Sequence, residues 1–187
     1  MSLTINFELS QTDLDRIYQT MLQVRDNASA RSLPEVIDGA RQLLEEIQKA
    51  DTSDFIRQRM AQLETLIDMV TDEAWGLTDE DLDRAVTALA YFCEPVDLIP
   101  DDIPGLGYLD DAIMIEIISN ELEPEIQAFK EFVAYRTSEA ARRNEGALEM
   151  QKSDWLEKRR KQLHSRMRRR RRNRGGSASV KSPFSLL

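Results

Sequence analysis

Cysteine and histidine are almost absent from this sequence of 187 residues, which contains one of each, Cys93 and His164. A single cysteine excludes an intramolecular disulfide. One cysteine and one histidine also exclude a zinc site of the usual Cys/His type. Catalysis of the Ser–His–Asp or Cys–His kind needs a histidine beside the nucleophile. We expect His164 to be a solvated residue and Cys93 a small core residue, so the sequence favours a protein that is not an enzyme.

Long apolar runs are missing as well. The longest strongly apolar stretch, residues 112–118, is interrupted by Glu116 and falls far short of the ~18 residues that a membrane-spanning helix needs. The N-terminal segment has neither the basic region nor the apolar region of a signal peptide. We expect a soluble, cytoplasmic protein, with peripheral attachment to the inner membrane face as the option that its charge distribution leaves open.

Basic residues are scarce in most of the chain and then dominate its end. Residues 1–150 contain 32 acidic residues and 12 lysines or arginines, a net charge of −20. Residues 151–187 contain 13 lysines or arginines and two acidic residues, a net charge of +11. The formal charge of −9 is therefore a poor description, and an acidic body with a basic tail is a better one.

Apolar residues recur at helical spacing throughout, and no strand alternation is visible. Ser32 and Glu35 have the spacing of a helix cap, as do Thr78 and Asp81. The pattern predicts an all-α bundle of about six helices. We divide the chain into an N-terminal helical segment (1–76), a compact helical domain (77–146), and a basic helical extension with a disordered end (147–187).

The stretch EPVDLIPDDIPGLGYLDD (94–111) is the densest in carboxylates and turn formers. On a structural interpretation its prolines stop the preceding helix, its aspartates cap turns and the start of the next helix, and its glycines let the chain turn back. The residues of this structural motif are Pro95, Asp97, Pro100, Pro104, Gly107, Tyr108, Asp110 and Asp111.

The alternative is that the carboxylates converge on one hard cation, since Mg²⁺, Mn²⁺ and Ca²⁺ prefer oxygen ligands. The candidate ligands are Asp97, Asp101, Asp110 and Asp111. Their spacing does not match an EF-hand loop. If they hold Mg²⁺ or Mn²⁺, the protein would be a metal-dependent hydrolase. Otherwise we expect no cofactor.

The same stretch resembles a known family pattern, Y-x-x-x-P-x-D-L-I-P-D-x-I-P-x-x-G-Y-x-D-D. Tyr91 is its first residue, Asp111 its last, and every specified position between them is present here. The segment is similar to the YkvA-like family, a bacterial domain of unknown function, over about residues 80–120. The resemblance implies a small helical domain, sometimes found with membrane-associated segments, and implies no established activity.

The basic tail contains a cluster of seven arginines, which we expect either to stay in solvent or to meet an anion, because their mutual repulsion disfavours an isolated ordered structure. The cluster consists of Arg166, Arg168, Arg169, Arg170, Arg171, Arg172 and Arg174. Three anions are candidates: a nucleic acid, an anionic membrane surface, and the acidic body of this chain or of another copy. The sequence thus predicts a non-catalytic interaction or adaptor module that its tail tethers to a polyanion.

Overall fold

The computed structural model describes residues 32–93, 103, 107–143 and 154–175, together with Ser10, Thr12, Asp13, Arg16 and Gln19. Within these residues the chain forms α-helices and one 3₁₀-helix, and no strand. The helices are α1 (Leu33–Lys49), α2 (Asp54–Thr71), α3 (Asp79–Leu89), the 3₁₀-helix (Ala90–Cys93), α4 (Leu109–Glu121), α5 (Glu123–Arg143) and α6 (Asp154–Gly175). The predicted all-α class is confirmed. No helix in the described part is long and apolar enough to cross a membrane.

Local sequence signals set the helix starts. The backbone N–H of Ser32 donates to Glu35 Oε2 at 2.7 Å, which is the predicted cap of α1. Ser53 accepts from the backbone N–H of Ile56 and caps α2. The hydroxyl of Thr78 donates to Asp81 Oδ2 at 2.8 Å at the start of α3. Each pair fixes the point at which the chain enters a helix.

The helices pack around one hydrophobic core. Helix α2 lies against α1 and α4, while α6 packs mainly against α5. Buried apolar residues of all six helices belong to the same core cluster, from Val36 in α1 to Met167 in α6. The three-segment division stays a prediction, but the helix of the basic extension shares its core with the first two segments.

Gly39 lies where α1 meets the 3₁₀-helix. A Cβ atom added there would be 2.5 Å from Cys93 Sγ, closer than packed atoms approach. The absence of a side chain at Gly39 therefore lets the two elements pack closely. Cys93 Sγ lies 3.6 Å from the Val36 carbonyl oxygen, so its side chain is held against α1.

Tyr108 begins α4 in a left-handed conformation, with φ of 63°. Its side chain is buried, and the neighbouring Gly107 N–H donates to the Ile103 carbonyl at 2.8 Å. The left-handed backbone costs a tyrosine roughly 1–2 kcal/mol, which burial of its ring can offset. Among the described residues of the motif, the turn back into α4 therefore has its positive φ at Tyr108 and not at Gly107.

Candidate polyanion interface

Helix α6 carries most of the basic residues of the tail, and its apolar side is packed into the fold. Leu156, Leu163 and Met167 are each at most 2 % exposed. They lie on one side of the helix at spacings of seven and four residues. The basic extension is therefore a structural helix of the bundle.

His164 lies beside these apolar residues and contacts Trp75, with ring centroids 4.2 Å apart. The expectation that His164 is solvated was wrong, because its place on α6 turns it into the core. Burial and then the nearby Arg168 guanidinium lower the pKa of His164, opposed by Asp81 and a hydrogen bond with the Trp75 backbone. A neutral imidazole is thus favoured at this position.

Glu131 of α5 faces one flank of α6. Arg166 donates a hydrogen bond to Glu131 Oε2, and Arg159 Nη2 lies 3.8 Å from the same oxygen. The bond from Arg166 holds the pKa of Glu131 below its usual range. One carboxylate thus contacts two arginines that lie two turns apart on the helix.

Arg171 faces three carboxylates on the other flank. Its guanidinium lies 2.5 Å from Asp81 Oδ1, 2.9 Å from Glu80 Oε1 and 3.4 Å from Glu125 Oε1. Arg168 Nε is 3.6 Å from Asp81 Oδ2. Helices α3 and α5 therefore supply the carboxylates that pair with Arg168 and Arg171.

A buried ion pair lies beneath this flank. Arg84 Nη1 donates to Glu125 Oε1 at 2.6 Å, and both side chains are buried. Arg84 Nη2 also lies 3.6 Å from Glu121 Oε1. The pair links α3 to α5 and holds Glu125, one of the three carboxylates that Arg171 meets.

The predicted arginine cluster is thus divided in two by the packing of α6. Arg166, Arg168 and Arg171 contact carboxylates of the body, whereas Arg169, Arg170 and Arg172 are exposed. Arg174 belongs to the helix, but its side chain lies outside the described residues. The outward arginines form the surface that an external anion can reach.

Half of the predicted metal site can be placed. Asp110 and Asp111 lie in the first turn of α4, where Asp110 is buried. Asp97 and Asp101 lie outside the described residues, as do Pro95, Pro100 and Pro104. Elsewhere in the described ranges, no group of three or more His, Cys, Asp or Glu side chains could hold a metal ion. The cation site and the capping role both stay predictions.

Sequence reasoning missed the carboxylates that receive α6. Asp81 was identified only as a cap residue, and Glu125 and Glu131 were not singled out. Their separations from Arg171 and Arg166 along the chain are 46 and 35 residues. The available signal was the charge contrast between body and tail, which predicted such a contact as one of three options without naming its residues.

Residues 84–117 match the model of a family described as a protein of unknown function, DUF1232. The match lies within the segment that resembles the YkvA-like family and supports an uncharacterised domain family there. No curated protein and no solved structure matches the chain.

Proposed function

We propose that this protein is a non-catalytic helical interaction module, and that the outward face of α6 binds the phosphate backbone of a nucleic acid. The observation that carries the proposal is the placement of Arg169, Arg170 and Arg172. All three are exposed: Arg169 and Arg172 lie on the side of α6 away from its buried residues, and Arg170 follows Met167 at the end of the buried stripe. Guanidinium groups pair with phosphate through two hydrogen bonds, and the packed helix holds the three arginines at fixed positions relative to one another.

The packing of α6 favours a nucleic acid over a membrane. Binding of an amphipathic helix to lipid requires a free apolar side. Leu156, Leu163 and Met167 are buried in the bundle, and Trp155 packs edge-on against Tyr135 with ring centroids 5.6 Å apart. An anionic membrane could therefore interact with α6 only through the charges of its arginines, because no apolar side chain in the described part of the helix is free to insert into the lipid.

The positions of the lone histidine and cysteine support a module without nucleophilic catalysis. His164 packs against Trp75, and Cys93 packs against α1 near Gly39. Both side chains are used in packing. The family match adds no reaction, since it is described only as a protein of unknown function.

The binding test uses point variants, because removing α6 would uncover core residues and leave Asp81 and Glu125 buried without Arg171. The Arg169→Gln/Arg172→Gln variant removes two outward charges and keeps helix propensity. Its matched control is Arg41→Gln/Lys49→Gln, which removes two exposed cations from α1.

We expect a labelled DNA or RNA duplex to bind the wild type with an affinity that falls as salt rises. For three phosphate contacts the slope of log affinity against log salt is about −2.7. The α6 variant should flatten the slope by about two units, and the α1 control should leave it unchanged. Equal slopes for all three proteins would contradict the proposal. Binding to phosphatidylserine vesicles but not to a duplex would assign the face to a membrane.

A further inference from the structure

The arginines on the inner flanks of α6 differ in how many carboxylates hold them. Arg171 contacts Glu80, Asp81 and Glu125, so the loss of any one leaves two. Arg166 contacts Glu131, and no other carboxylate in the described part of the chain is recorded within ion-pair distance of it. The two flanks therefore differ in how readily an arginine could turn to an external phosphate.

The Arg166–Glu131 pair lies at the rim of the bundle. Both side chains are 36 % exposed, in contrast to the buried Asp81 and Glu125. A pair open to water can exchange partners at small cost, because neither charge has to be moved out of a buried site. Arg166 is thus placed beside the outward arginines but is bound to a carboxylate of its own chain.

We propose that Glu131 restrains Arg166 and so limits the anion-binding face of α6 to the outward arginines. The inference rests on the proposed function and names Glu131 as the residue that limits how many arginines of α6 contact phosphate. The carboxylate of Glu131 occupies the position on the guanidinium that a phosphate would take. The lowered pKa of Glu131 is consistent with this role, since it keeps the group ionised at neutral pH.

The test compares two variants that each remove one negative charge from a flank of α6. Glu131→Gln removes the carboxylate of Arg166, and with it the weaker contact of Arg159 at 3.8 Å. Glu80→Gln is the matched control, because Arg171 keeps Asp81 and Glu125. Long-range electrostatics predicts the same effect for both variants. If Glu131→Gln releases an arginine, it should raise the duplex affinity more than Glu80→Gln does.

For a DNA duplex we expect Glu131→Gln to bind several-fold more tightly than Glu80→Gln. Its salt slope should steepen by about one unit, which corresponds to one additional phosphate contact. Equal slopes for the two variants, with normal binding by the wild type, would overturn the inference and leave the proposed function intact. If only Glu131→Gln binds the duplex, the result would support the restraint of Arg166 and would contradict the proposal that the wild type binds a nucleic acid.

A second readout needs no nucleic acid. An arginine-selective dicarbonyl reagent, followed by mass spectrometry, reports how accessible each guanidinium is. Arg166 should react faster in Glu131→Gln than in the wild type, and Arg171 should be unchanged in Glu80→Gln. Unchanged reactivity of Arg166 would overturn the restraint whatever the binding results. Arg166 could react faster in Glu131→Gln while neither the wild type nor either variant binds the duplex. That result would overturn the proposed function and would leave the restraint on Arg166 intact.

Discussion

Arg84 Nη1 lies 2.6 Å from Glu125 Oε1, and the two side chains are 6 % and 1 % exposed. Few ionised pairs are buried so completely, because removing both charges from water is costly. Here Glu125 also faces Arg171, and Arg84 also faces Glu121. The buried pair therefore belongs to a network that joins α3, α4, α5 and α6.

Breaking this pair from one side should be strongly destabilising. Arg84→Met leaves the Glu125 carboxylate buried with only the more distant Arg171, and we expect a loss of about 3–5 kcal/mol in unfolding free energy. Urea denaturation followed by circular dichroism measures it. The double variant Arg84→Met/Glu125→Leu should recover most of the loss, because an apolar pair replaces an uncompensated charge. Additive effects of the two substitutions would contradict the direct pairing.

How much of this fold the sequence predicts depends on whether the signal is local. The cap of α1 at Ser32 and Glu35 was predicted correctly, because both partners lie within one turn. The apolar stripe of α6 was also visible from spacing alone. The burial of His164 was not predicted, since nothing in its own segment shows that Trp75, 89 residues earlier in the chain, covers it.

The candidate site shows the same limit. The arginine cluster is evident from composition, but which of its members face solvent follows from the rotation of α6 on the body. Arg171 and Asp81 are separated by 90 residues, and a cap motif already accounts for Asp81 locally. Charge contrast could predict attraction between body and tail. The pairing itself required the packed structure.

Gly39 and Cys93 should be energetically coupled. Gly39→Ala places a methyl group 2.5 Å from Cys93 Sγ, and we expect a loss of about 1–3 kcal/mol in unfolding free energy from overpacking. In a Cys93→Ala background the sulfur is absent, and the same change should be neutral or stabilising by up to about 1 kcal/mol through helix propensity. A double-mutant cycle by chemical denaturation gives the coupling. Equal costs in both backgrounds would show that the sulfur is not the obstacle.

The aspartate-rich segment can be tested for a cation directly. We expect isothermal titration with Mg²⁺, Mn²⁺ and Ca²⁺ to show no binding, because the structural interpretation assigns these side chains to capping and turn formation. Asp97→Asn should then lower only the melting temperature. Saturable heat with any of the three ions, lost in Asp97→Asn and in Asp101→Asn, would contradict the capping interpretation and establish the metal site.

His164 is the only histidine, so one group dominates the pH dependence of stability between about pH 5.5 and 7.5. Burial, followed by Arg168, lowers its pKa in the folded state. Below the unfolded pKa of about 6.5 the unfolded chain therefore binds more protons, and stability falls as the pH falls. We expect the melting temperature to be lower at about pH 5.5 than at about pH 7.5. His164→Phe, which can still pack against Trp75, should remove this difference, and an equal difference in the variant would assign the dependence to another group.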